Sequence, residues 1–279
     1  MSQAPSAPLL SSSPLSSSAL TNHILAIDGP AGAGKSTIAA RMAARFGLLN
    51  IETGAMYRAF ALKALAAGIA LDDCSELVRL SQNTTIQLLP AETGNRVLLD
   101  SEDVTARLRT PDVSEAASRV SVHTPVRAWM VALQQELVTL TRSGTNAGAN
   151  LETNLGANPE TIYKTGHETI LGIVMEGRDI GTVVFPEASL KIFLFASPEA
   201  RTERRLAQGS PTLEEQAAID AASLLAAIHE RDERDRSRAE SPLRQAEDSI
   251  AIDSTMLTLE QVTSRIEALI TERWHLQPR

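Results

Sequence analysis

With 279 residues, 43% of them hydrophobic and 22% charged, the chain can bury a large core and suits one compact unit with room for an inserted lobe. A net charge of −8 argues against a general nucleic-acid surface. The single cysteine, Cys74, excludes an intrachain disulfide and any multi-thiolate metal site and suits a reducing, cytoplasmic setting; no apolar run approaches the ~20 residues that cross a bilayer.

Residues 1–21 are rich in Ser, Pro, Ala and Leu without a basic n-region, and are expected to form a disordered tail ahead of a single unit spanning 22–279. That unit opens on the apolar run Ile24 to Ile27, followed directly by GPAGAGKS at Gly29 to Ser36, a G-x-x-x-x-G-K-[ST] pattern in strand-then-helix context. Gly29, Gly32 and Gly34 permit backbone conformations that turn successive N–H groups onto phosphate oxygens. Gly29, Pro30, Ala31, Gly32, Ala33, Gly34, Lys35, Ser36 and Thr37 are therefore the expected cradle of a nucleoside triphosphate, with Lys35 on its β- and γ-phosphates and the Ser36 hydroxyl on Mg²⁺.

Further short apolar runs at Leu48 to Ile51, Ile173 to Met175, Lys191 to Phe195 and Ile250 to Ile252 alternate with helical stretches, the pattern of a central five-stranded parallel sheet wrapped by helices in a three-layer α/β fold. Polar or Gly-bearing segments follow the first four strands (GPAGAGK, ETGAMYR, EGRDIG, ASPEAR) and should meet at the carboxyl edge of the sheet. The core is expected at 22–83 and 171–279. Thr85 to Leu89 and Arg96 to Leu99, flanking a turn at Glu92 to Asn95, mark an inserted β-containing lobe at about 84–142, with helical patterning resuming around Val113 to Arg142. A Gly-, Asn- and Thr-rich stretch is read as a flexible insert at about 143–170, and a helical lid is expected at about 202–236.

GPAGAGKST at 29–37, ETGAMYR at 52–58, RTPDVSEAASRVS at 109–121, EGRDIGTVVFPEA at 176–188, IFLFASPEAR at 192–201 and ERDERDRSR at 230–238 together resemble the bacterial cytidylate kinases, P-loop nucleoside monophosphate kinases, from about Ile24 to Ile270. The resemblance implies transfer of the ATP γ-phosphoryl group to CMP or dCMP with Mg²⁺; the charge and the lack of a spanning apolar run predict no nucleic-acid or membrane partner, and the lack of any marked apolar patch predicts a monomer. The resemblance assigns Arg58 and Arg178 to the acceptor phosphate, with Arg238 bridging it to the transferring group, so that Lys35, Arg178 and Arg238 form the catalytic set. Thr53 and Tyr57 go to the monophosphate, Arg231 and Asp235 to the sugar, and Asp179, Arg127 and Ser118 to the base. Some of Arg201, Arg204 and Arg205, on the lid, go to the ATP phosphates. Glu52 stands where the family more usually has Asp.

Physical chemistry supports the same types. A dianion beside a polyphosphate needs several fixed cations, and arginine supplies them with a planar fork. Only four of the 26 basic residues are lysine, although genome-wide base composition produces the same bias. In a helix, Arg231, Asp235 and Arg238 share one face, and the plainer alternative is an exposed helix laced with Glu and Arg pairs. A carboxylate beside a guanidinium reads the amino donor and unprotonated ring nitrogen of cytosine, while Ser118 has the alternative of bonding its own helix backbone. Two other readings stay open: a nucleotide-dependent switch, for which D-x-x-G and N-K-x-D are missing, and a kinase for UMP, AMP or a small alcohol such as shikimate.

Overall fold

The computed structural model describes residues 23–91, 94–143, 170–208 and 221–279. The expected N-terminal tail, nearly all of the expected insert, Glu92 and Thr93 of the expected turn, and residues 209–220 of the expected lid lie outside them. Five parallel strands, β1 (Ile24–Asp28), β2 (Leu48–Glu52), β6 (Gly172–Gly177), β7 (Leu190–Phe195) and β8 (Ile250–Asp253), form one sheet in the order β2-β6-β1-β7-β8. Each lies within a residue or two of the apolar run that predicted it.

These strands read as apolar runs because both faces of the sheet are covered. Along β1, Ile24 and Ala26 enter one core while Leu25 and Ile27 enter the other; along β6, Ile173 and Met175 alternate with Val174 in the same way. The first core is completed by α2 (Thr53–Ala66), α4 (Pro111–Val120) and α5 (Thr124–Ser143), and the second by α1 (Lys35–Phe46) and α8 (Leu259–Trp274). Three antiparallel strands, β3 (Ile86–Pro90), β4 (Asn95–Leu99) and the unexpected two-residue β5 (Glu102–Asp103), form a separate ribbon. Its Ile86, Leu88, Val97 and Leu99 join the first core. After α3 (Cys74–Ser81), the remaining helices are α6 (Pro198–Gln208) and α7 (Ala221–Arg236). Among the described residues no helix is long and apolar enough to cross a membrane.

One expected helical stretch divides into two helices and another ends early. The stretch from Val113 to Arg142 is two helices, α4 and α5, separated by Ser121 to His123. Pro125 lacks the N–H that a helix interior needs and is accommodated in the first turn of a new helix. The run ERDERDRSR is helical only to Arg236, so Arg238 is not the i+7 residue of one helical face. The Ser237 N–H still donates to the Glu233 carbonyl at 2.8 Å, but the Asp235 carbonyl is taken by Leu243 N–H at 2.7 Å, which turns the chain out of the helix.

At the carboxyl end of β1, Gly29 has φ of +146°, and an added Cβ would lie 1.9 Å from the Leu194 carbonyl oxygen of β7. Neither the loop nor the strand can yield there without breaking the sheet edge. Gly29→Ala is expected to destabilise the fold by about 3–5 kcal/mol, measured as a lowered urea midpoint at unchanged m.

Candidate active site

The loop between β1 and α1 uses positive φ at Gly32 (+78°) and Gly34 (+96°). Gly34 caps α1 without a side-chain hydrogen bond, and the first helical turn carries no acidic residue. Its leading amides are thus left for an exogenous anion in place of a side-chain cap. Gly32, Ser36 and Thr37 are exposed while Pro30, Ala33 and Lys35 are buried, so the cradle is open on one side only. Lys35 Nζ donates to the Pro30 carbonyl at 2.8 Å. Burial pulls its ammonium down to about 7, and the Arg178 guanidinium pushes the same way. Ser36 Oγ donates to Glu176 Oε1 at 3.0 Å across the β1–β6 crevice.

Strand β6 delivers the other half. It ends at Gly177, and Arg178 and Asp179 follow before a single π-helical turn at Ile180–Val184. That turn is held by Asp28, the last residue of β1: its Oδ1 accepts from Ile180 N at 2.9 Å and its Oδ2 from Gly181 N at 2.7 Å. Burial pushes the Asp28 carboxyl up to about 6 against the pull of those two amides. From this anchored turn Arg178 Nε donates to Asp235 Oδ2 at 2.8 Å, and Asp179 pairs with Arg127 in a bridge whose side chains are 8% and 4% exposed. Asp235 also receives Arg238. Although burial opposes its charge, Arg178, Arg238 and Arg231 hold its carboxyl below the usual range.

The cations outnumber the carboxylates that face them. Arg231 is pulled down to about 10, first by burial and then by Arg178. Lys35 of the loop feels both Arg178 and Arg231, so the two halves adjoin. The Nε atoms of Arg58, Arg127, Arg231 and Arg238 are buried without a hydrogen-bond partner. Guanidinium donors buried unpaired next to an uncapped helix N-terminus suit ligands with several negative charges on either side of one crevice.

A family model described as cytidylate kinase matches residues 25–160 and 161–272. The chain is 42% identical over 250 residues to a curated cytidylate kinase of Solibacter usitatus, covering 90% of this chain and 93% of the relative. It is 42% identical over 259 residues to one of a Geobacillus species (91% and 99%) and 41% identical over 249 residues to one of Enterococcus faecalis (89% and 96%). The chain belongs to the cytidylate kinase family.

Most residues that the cytidylate kinase resemblance singled out meet in this crevice. Arg58 Nη2 is held by Glu52 Oε1 at 2.5 Å, so the glutamate found in place of the family's usual aspartate reaches the arginine six residues on. Tyr57 lies under the Arg127 guanidinium, 5.8 Å from ring centroid to Cζ. The Ser118 hydroxyl does not bond its own helix: it accepts from Arg234 Nη1 at 2.9 Å. Thr53 is buried, and its hydroxyl donates to the Glu176 carbonyl at 2.7 Å, bracing α2 against β6. The lid arginines separate. Arg204 donates to Ser254 Oγ at 3.0 Å and to its carbonyl at 2.5 Å, while Arg205 is exposed. Arg201 is 1% exposed and turned inward.

Sequence reasoning missed Asp28, Glu176, Ser121, Arg234 and Asp232. Ser121 accepts from Arg127 through its carbonyl at 3.3 Å and from Arg238 through its Oγ at 2.8 Å, joining the Arg127–Asp179 pair to the arginine beyond α7. A signal existed for Asp28 and Glu176: a carboxylate ending an otherwise apolar, fully buried strand needs a tertiary partner. Asp235 is the single carboxylate shared by Arg178 and Arg238. Asp235→Asn is expected to cost about 3 kcal/mol in urea unfolding, with part of the loss restored by inorganic phosphate, which replaces the missing negative charge.

Proposed function

We propose that this crevice transfers the γ-phosphoryl group of ATP to CMP or dCMP, giving ADP and the nucleoside diphosphate. The observation that carries the reading is the Ser36–Glu176 hydrogen bond at 3.0 Å, which sets the loop after β1 against the end of β6 that delivers Arg178 and Asp179. The loop amides, from Gly32 onward, and Lys35 hold the triphosphate; Arg58, Arg178 and Arg238 hold the acceptor phosphate, Arg231 and Asp235 the sugar, and Asp179 with Arg127 the cytosine edge. Arg204 closes on the donor from the loop at Ser254.

No general base is required, because the attacking oxygen belongs to a phosphate already ionised at neutral pH. The chain's own contribution is positioning and neutralisation: the guanidinium groups offset the charge of two phosphate chains brought into line and strengthen as charge spreads in the transition state. The oxygen pair of Ser36 Oγ and the Glu176 carboxylate fits a hard divalent cation, and these two residues would hold Mg²⁺ directly or through its water. A divalent ion held by Ser36 and Glu176 would supply positive charge to the transferring group and so lower the cost of charge developing there. For uracil, a carbonyl would oppose the Asp179 carboxylate and leave buried groups unpaired.

Two experiments test this. With MgATP and a panel of nucleoside monophosphates, ADP release is expected to track CMP and dCMP, with kcat/KM at least ~100-fold above UMP, and Asp179→Asn narrows that gap by about tenfold or more; equal turnover with AMP or UMP rejects the assignment. A second test uses the lowered Lys35. A bound triphosphate favours the charged ammonium, so its pKa rises on binding. Below pH about 7 the lysine is already protonated and little proton exchange occurs, whereas above it binding takes up a proton and weakens as pH rises. Calorimetry at saturating Mg²⁺ in buffers of different ionisation enthalpy is expected to register uptake at pH 8 and little at pH 6, and none in Lys35→Met.

A further inference from the structure

Arg201 heads the fully buried side chains of the described residues by size, yet the proposed mechanism gives it no role. It lies in the first turn of α6, and four hydrogen bonds engage its fork. Nε donates to the Ala196 carbonyl at the end of β7 (3.0 Å), and Nη1 to the Ala31 carbonyl in the donor loop (3.1 Å). Nη1 and Nη2 together grip Asp232 on α7 (3.0 and 2.5 Å), whose side chain is 3% exposed. The loop rests on the same arginine: a Cβ at Gly32 would lie 3.3 Å from Arg201 Cβ.

The bond to Ala31 has a directional consequence. In a planar trans peptide the carbonyl of one residue and the N–H of the next point to opposite sides. Arg201 draws the Ala31 carbonyl toward the protein interior and thereby aims the Gly32 N–H, in the middle of the loop, away from it toward the open side of the cradle. A free loop peptide flips readily at a glycine with positive φ. A bidentate carboxylate fixes the guanidinium plane that prevents it. Asp232 directly follows Arg231 and lies three residues before Asp235, so the helix that carries the acceptor-side groups also holds the donor loop's orientation.

We propose that Arg201 and Asp232 are a positioning pair that sets the Ala31–Gly32 peptide for the triphosphate and ties that setting to α7. This rests on the reading of the loop as the ATP cradle. The pair touches neither substrate; it acts through the loop on one side and through α7 on the other.

The test is equilibrium binding of MgATP and, separately, of CMP to the wild-type full chain, Arg201→Lys, Asp232→Asn and the double variant. Thermal melting and the ¹⁵N–¹H signal of Gly32 are recorded alongside. Each single variant is expected to weaken ATP about tenfold or more while CMP affinity stays within about twofold, to shift the Gly32 amide signal, and to give a double variant little worse than either single one. ATP affinity unchanged in folded variants, or ATP and CMP affinity falling by the same factor, overturns the proposal. So does loss of the folded state in both single variants, since a positioning pair leaves that state populated. If the wild-type protein binds no ATP, the cradle reading fails instead; if it binds ATP but turns over a monophosphate other than CMP, the acceptor assignment fails and the positioning pair stands.

Discussion

Like charges held together out of water repel, and the carboxyl edge of this sheet is organised around that repulsion. Arg178 disfavours the charged state of both Lys35 and Arg231, Arg231 adds to the effect on Lys35, and burial removes the water that would screen them. The chain tolerates the arrangement because a few carboxylates are spent sparingly: Asp235 is shared between Arg178 and Arg238, Glu52 holds Arg58, and Asp179 holds Arg127. What remains is a surplus of donors aimed into one crevice, which is the condition for gripping two phosphate-bearing ligands at once.

Strand order converts that surplus into a site. Because β1 lies between β6 and β7, the glycine loop leaves the sheet directly beside Glu176 and the Arg178–Asp179 turn. Asp28 then ties the two strand ends together through consecutive backbone amides. From the helical layer Arg127 on α5 pairs with Asp179, Asp235 on α7 pairs with Arg178, and Ser118 on α4 accepts from Arg234 of α7. The break between α4 and α5 contributes directly, since it exposes the Ser121 carbonyl and hydroxyl to Arg127 and Arg238.

The sheet was legible because a strand buried on both faces leaves a short apolar run, and β1, β2 and β6 also close that run on a glycine or a charge. The donor loop was legible because its function resides in backbone conformation, which glycine spacing records. Pairings were not. Asp28 finds its amides 152 and 153 residues away, Ser36 finds Glu176 at 140, and Arg234 finds Ser118 at 116. No local pattern distinguishes such a carboxylate or arginine from a solvated one. The same blindness affected the lid, where three neighbouring arginines looked equivalent and the structure sends Arg201 inward, Arg204 to Ser254 and Arg205 to solvent. It also affected ERDERDRSR, where a periodic face was extended to Arg238 past the last helical residue, Arg236.

The strand order also dictates a schedule for synthesis. Both neighbours of β1, and the partner of β2, come from residues 172–195. The glycine loop therefore leaves the ribosome on a strand that stays unpaired in the main sheet until β6, which begins only at Gly172, has followed it. During that interval the described residues offer only one sheet that can close, the β3–β5 ribbon, whose contacts are local. The protein thus carries an apolar, edge-exposed N-terminal strand through most of its translation, and assembles its phosphate grip only when the late strands zip onto both sides of an early one.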